Sequence, residues 1–171
     1  MHNNSTELIE RSKHGDGEAF SQLYGEYAVE LYRFAIYMTG SPEDAEDAVQ
    51  EAVISAWQSL HSLKDYSLFK AWLFKILSNK CKTMLMKRNR HPDSLPIEDY
   101  DFLTDNTAEN LINGVELKQA LASLTPPDAQ IIVLSIIGGF TSQELAGIFN
   151  MTPGTVRSRQ KRAIEKLKKI L

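Results

Sequence analysis

The chain has 171 residues, 43% of them hydrophobic and 24% charged, which suits one ordinary globular domain or two small ones and excludes low-complexity classes. Its formal charge of −3 conceals four blocks of alternating sign: 3 basic and 11 acidic side chains over residues 1–60, 8 basic against Asp65 over 61–90, Lys118 against 9 acidic over 91–156, and 7 basic against Glu165 over 157–171. The longest apolar stretches, such as 131–134 with Ile136 and Ile137, fall well short of the roughly 20 residues that span a bilayer, so membrane insertion is not expected.

The first residues, Met1 to Glu7, lack the basic start and apolar core of a secretory signal, which makes the cytoplasm the expected location. Leu23, Tyr27, Leu31, Phe34, Ala35 and Met38 then recur at helical steps, ending at Gly40-Ser41-Pro42, where Ser41 can cap the next helix. That helix is expected over about 42–60. After the polar break at 61–67, a third helix is expected over about 67–90. Residues 91–108 hold two prolines and a run of acids without period, which marks a linker. Beyond it, helices are expected at about 109–124, 127–138, 142–149 and 153–170. With no convincing strand, the expected class is all-α: two small helical domains, 1–90 and 109–171, joined by a flexible linker.

The last two helices form a helix-turn-helix pattern. Thr141 can cap the first, apolar side chains stand at 145, 148 and 149, and the second opens at Pro153, which suits a first helical turn because it lacks the N–H. Val156, Ala163, Leu167 and Ile170 share a stripe at about 100° per residue. In such motifs the early turns of the second helix enter the major groove, so Thr155, Arg157, Ser158 and Arg159 are placed to meet bases and phosphates, with Lys161 and Arg162 close behind. A generic helical hairpin with a solvated basic helix is the competing reading.

In the helix after Pro42, Asp44, Asp47 and Glu51 fall on one face opposite Ala45, Ala52 and Ala56, and like charges so crowded oppose the helix unless a cation docks there. A solvated acidic start favoured by the helix dipole accounts for the same residues. The basic block mixes Tyr66, Phe69, Trp72 and Phe74 with Lys64, Lys70, Lys75, Lys80, Lys82, Lys87, Arg88 and Arg90. That combination holds single-stranded nucleic acid, although the aromatics also fit a core. Catalytic and metal chemistry lack a constellation: His2, His14, His61 and His91 are scattered, and the sole cysteine, Cys81, has neither a disulfide partner nor ligands at zinc spacing. No cofactor and no enzymatic activity are expected.

In this order the segments resemble the extracytoplasmic-function (ECF) sigma-factor family over almost the whole chain. The resemblance rests on Gly15-Asp16-Gly17-Glu18-Ala19-Phe20 with Leu23-Tyr24, Asp44-Ala45-Glu46-Asp47-Ala48-Val49-Gln50-Glu51, Ala56-Trp57, and Ala71-Trp72-Leu73-Phe74-Lys75-Ile76-Leu77-Ser78-Asn79. It continues through Ala120-Leu121-Ala122-Ser123-Leu124, Glu144-Leu145-Ala146 and Gly154-Thr155-Val156-Arg157-Ser158-Arg159. It implies a sigma factor that brings core RNA polymerase to promoters of a stress or envelope regulon, under an anti-sigma partner. The N-terminal domain would contact the polymerase clamp and the −10 element, and the helix-turn-helix the −35 element.

On that resemblance, Asp44, Asp47, Gln50 and Glu51 become the polymerase contact. The loop 61–67 resembles one that receives a base extruded from the −10 strand. His61, Lys64, Tyr66, Lys75, Asn79, Lys80, Lys82 and Arg88 form the −10 set, with Asn79 able to read a base edge because its amide both donates and accepts. Two departures stand out: Leu124-Thr125-Pro126-Pro127-Asp128 where the family has Leu-Pro and a charged stretch, and Gln160 where an apolar residue is common. The close of the chain at Leu171 leads to the expectation of no added sensory domain. The competing function is a helix-turn-helix regulator that binds duplex DNA by itself; in response-regulator form it would need a receiver of alternating strands and helices, for which residues 1–90 give no pattern.

Overall fold

The computed structural model describes residues 2–88 and 119–170. The expected linker 91–108, residues 109–118 of the helix expected after it, and the Arg88 side chain lie outside the described residues. The chain divides into two units, Met1–Leu95 and Pro96–Leu171. Every regular element among the described residues is helical.

In the N-terminal unit, α1 spans His2–Lys13, α2 Gly17–Gly25, α3 Ala28–Thr39, α4 Pro42–Ser59 and α5 Phe69–Arg88, with single 3₁₀ turns at Leu60–Ser62 and Tyr66–Leu68. Asp16 starts α2 by accepting hydrogen bonds from the amides of Glu18 and Ala19. Gly40 ends α3 in the left-handed region at φ 71°, and Ser41 caps α4 by accepting from the Asp44 amide, the punctuation expected of Gly, Ser and Pro. The helical period through Leu23 and Tyr27 is broken in the structure: α2 stops at Gly25, and Tyr27 takes φ −115° and ψ −3° before α3 begins. The apolar rhythm runs on across the break because Leu23 before it and Leu31 after it are both buried.

The core of this unit is built on α4, α3 and α5, which pack on one another. Ala45, Ala48, Ala52 and Ala56 form the buried face of α4; such small side chains let neighbouring helices approach closely. Phe34, Leu31, Phe74, Leu73 and Leu77 are fully buried beside them. Phe69 and Phe74, half of the aromatic set considered for base stacking, belong to this core. The Phe74 ring lies 6.0 Å from that of Phe34, and Phe69 lies 6.0 Å from Tyr27.

In the C-terminal unit residues 119–122 are helical, followed by α6 at Pro126–Ile137, α7 at Ser142–Phe149 and α8 at Pro153–Leu167. Helix α8 packs on both α6 and α7, and ends three residues before the expected 170. Gly138 has a packing reason: a Cβ there would stand 2.3 Å from the Phe140 ring, and Phe140 is buried. Gly139 follows at φ 61°, so the α6–α7 turn depends on both glycines.

Candidate nucleic-acid interface

The turn between α7 and α8 is built from caps. Thr141 and Glu144 form a complete capping box at the start of α7, Asn150 ends it in the left-handed region at φ 53°, and Thr152 caps α8 by accepting from the Thr155 amide. Val156, Ala163 and Leu167 are the buried stripe of α8. Thr155, Arg157, Ser158, Lys161 and Arg162 are exposed.

Arg159 differs from the expectation that it faces a ligand. Its Nη1 donates to Asp128 of α6 at 2.8 Å, and both side chains are mostly buried. The reason is angular: at 100° per residue, positions 159 and 160 flank the stripe of Val156, Ala163 and Leu167. Gln160 uses its place differently. Ser142 Oγ donates to its Oε1 at 3.0 Å, and its Nε2 donates to Ser135 Oγ at 2.7 Å, which in turn donates to the Ile131 carbonyl at 2.8 Å. Gln160 thereby ties α6, α7 and α8 together. Asp128, which closes the first departure, is likewise structural. Burial raises its pKa, but hydrogen bonds from Thr125 and Arg159 and the charges of Arg159 and Arg162 outweigh this and hold it below the ordinary carboxylate value.

In the N-terminal unit, Asp47, Gln50 and Glu51 are exposed on the side of α4 opposite its alanines, with Asp44 half-exposed. Glu51 lies 3.6 Å from Lys80, which relieves part of the crowding and turns Lys80 toward α4. Ile54, 57% exposed, continues this face by one turn. Sequence reading did not single it out; its signal was an apolar side chain three residues after Glu51 on the face away from the alanines.

Helix α5 brings Trp72, Lys75, Asn79 and Lys82 onto one stripe, at steps of three and four residues. Asn79 and Lys82 are exposed, and Trp72 and Lys75 half-buried. Trp72 is one of the aromatics that fit either base stacking or a core; its ring lies 5.9 Å from that of Phe69, and the 72–75–79–82 rhythm is what sets it in line with Asn79. His61 and Lys64 are exposed in the preceding loop. Tyr66 is engaged: its hydroxyl donates to the Glu10 carboxylate, and the Lys13 ammonium sits 4.4 Å from its ring centroid. Among the described residues no cluster of His, Cys, Asp and Glu could hold a metal ion, and no helix is long and apolar enough to cross a membrane.

Comparison with known proteins gives these surfaces a common frame. Residues 23–91 match the Sigma-70 region 2 family model and residues 114–167 the Sigma-70 region 4 model, leaving α1 outside both. The chain is 30% identical to the ECF RNA polymerase sigma factor SigM of Mycobacterium tuberculosis, over 98% of this chain and 84% of that protein. It is 32% identical to the ECF RNA polymerase sigma-E factor of Escherichia coli, over 92% and 89%. Among solved structures it resembles the sigma factor RpoE of Bartonella quintana, crystallised with the anti-sigma factor NepR, with a TM-score of 0.74 and 30% identity over 88% of this chain and 95% of that one. CnrH, solved with the cytosolic domain of CnrY, gives 0.73 and 25% over 98% and 96%. Two regions in the family's order, on helices whose exposed faces carry acids, an aromatic-cationic stripe and a basic second helix, assign the chain to the ECF RNA polymerase sigma factors, the bacterial transcription initiation factors.

Proposed function

We propose that this sigma factor binds core RNA polymerase through the outer face of α4 (Asp44, Asp47, Gln50 and Glu51, extended by Ile54). It reads the −10 element with the loop between α4 and α5 and the stripe Trp72, Lys75, Asn79 and Lys82. Thr155, Arg157, Ser158, Lys161 and Arg162 meet the −35 element. Arg159 is left out of the direct contacts because it is committed to Asp128, and Lys80 because it lies about 100° around α5 from Asn79, on the side that meets Glu51 of α4. The observation that carries this reading is the α5 stripe, where an aromatic face, two cations and one amide lie in line. Cations follow the phosphates, an aromatic stacks on an unpaired base, and the amide selects an edge. A regulator that binds duplex DNA by itself has no use for such a stripe.

The protein's own part is binding and positioning, so no catalytic residue is assigned and nucleotidyl transfer belongs to the polymerase. The site of action is the cytoplasm, where that enzyme transcribes, and the regulon is one of stress or envelope genes. The partners seen with RpoE and CnrH support an anti-sigma partner here as well.

Asp47→Lys should weaken core-polymerase binding about 10-fold, the scale of reversing a rim charge against a complementary surface. Adding Glu51→Lys should weaken it further. Circular dichroism should remain unchanged, since exposed helix positions cost little stability. Undiminished binding by the double variant in fluorescence anisotropy would remove α4 from the interface.

For the −35 contact, Arg157→Ala should cost about 1–2 kcal/mol of occupancy with relaxed preference at one position if the guanidinium pairs with a base. A phosphate contact would instead weaken all promoters alike. Promoter binding by the reconstituted holoenzyme separates the two, and unaltered occupancy would exclude the helix.

A further inference from the structure

The loop between α4 and α5 is held from outside itself. Leu60 and Leu63 are buried and Tyr66 half-buried, an inward side chain at every third position, as the 3₁₀ turns there allow. Both polar atoms of the Leu63 backbone are bonded: its N–H donates to the Leu60 carbonyl at 3.1 Å, and its carbonyl accepts from the Lys13 ammonium at 2.5 Å. The same ammonium covers one face of the Tyr66 ring, while the Tyr66 hydroxyl donates to Glu10. Glu10 and Lys13 stand three apart on α1, hence on one face. They close a clasp across 50 to 56 residues of sequence, on a helix outside both family matches. Asp65 finishes the loop by accepting from the Ser67 amide at 3.0 Å and the Ser67 hydroxyl at 2.6 Å. His61, Ser62 and Lys64 remain pointing outward.

We infer that Glu10 and Lys13 of α1 are positioning residues for −10 recognition: through Leu63 and Tyr66 they fix the loop shape that determines which extruded base it accepts. The inference rests on the reading of residues 61–67 as the base-receiving loop. It makes Lys13 a cation spent on loop shape rather than on phosphate. An ammonium that satisfies a main-chain carbonyl and lies over an aromatic ring forfeits both contacts when it leaves.

The test uses holoenzyme reconstituted from the full chain and core polymerase, presented with promoters randomised at the −10 and −35 elements. Lys13→Met and Glu10→Gln should each weaken the preference at one −10 position about 2- to 10-fold, the range carried by one lost hydrogen bond. The −35 profile and the affinity for core polymerase should stay fixed. Lys13→Arg, which can still donate to the carbonyl and stack on the ring, should retain the parental profile. Tyr66→Phe, a mild change that keeps the ring, should reproduce the Glu10→Gln profile, and combining the two should add nothing. A merely structural role would lower the amount of active holoenzyme evenly and leave the base preferences intact, and that result overturns the inference. A parallel graft of another family member's loop over 61–67 separates the two levels. If the graft shifts the −10 profile while the clasp variants do not, the clasp is wrong and the loop reading stands. If the graft also shifts nothing, both fall.

Discussion

Phe74→Ala is expected to remove about 3–5 kcal/mol from the N-terminal unit, the usual cost of emptying a buried phenylalanine site. Phe74 has no exposed surface and its ring meets that of Phe34 across the α3–α5 contact, so the neighbours cannot close the gap without moving one helix. Small domains hold only about 5–15 kcal/mol in total, and this one residue therefore decides whether α5 stays docked. Both tryptophans of the chain, Trp57 and Trp72, belong to this unit, which makes tryptophan fluorescence in a urea titration a selective measurement. A midpoint shift worth less than about 1 kcal/mol would mean that Phe74 is not the centre of the core. The functional consequence is joint loss of −10 binding and polymerase binding, because α5 and α4 hold each other in place.

The second large effect is expected at Asp128. Asp128→Asn keeps the shape but removes the charge opposite Arg159, whose buried Nε has no hydrogen-bond partner among the described residues. Removing one member of a fully buried pair costs about 3–5 kcal/mol. With the side chains 20% and 28% exposed, solvent screening lowers the expectation to about 2–3 kcal/mol. The acid limb gives an independent check. A carboxylate held below its ordinary pKa contributes stability that is complete above the unfolded value and is lost as pH falls through the lower folded value. The parent should lose this contribution on acidification, while Asp128→Asn, already without it, should show a flatter limb. Hydrogen exchange of α6 and α8 amides in the intact chain, followed from neutral to acid pH, measures both. Equal protection in parent and variant would mean that the pair does not brace α8.

How much of this was legible in the sequence differs by residue. Thr141 and Pro153 announced the helix-turn-helix because capping is local chemistry, decided within four residues. Helix α4 was legible for the same reason, with Ser41 and Pro42 at its start and alanines at its packing steps. Helix α1 was not anticipated: Leu8 and Ile9 are adjacent rather than periodic, and their burial comes from tertiary packing. The break at Gly25–Tyr27 was hidden because the apolar rhythm continues across it. Arg159 and Lys80 read as ligand-facing cations because their carboxylate partners are 31 and 29 residues away, a separation that periodicity does not register. Gln160 was recognised as unusual, but its reason lies in two serines on two other helices.

Cys81, the single thiol of the chain, lies fully buried on α5, and burial pushes its pKa up to about 12. Oxidants and alkylating agents attack thiolates, so the docked helix shields this sulfur twice, by access and by ionisation. The folded N-terminal unit is therefore insensitive to oxidation at its own cysteine. The same shielding turns the thiol into a clock: its modification proceeds only during the moments when α5 lifts from the core. Its rate in a cell would record how often the promoter-reading helix comes loose.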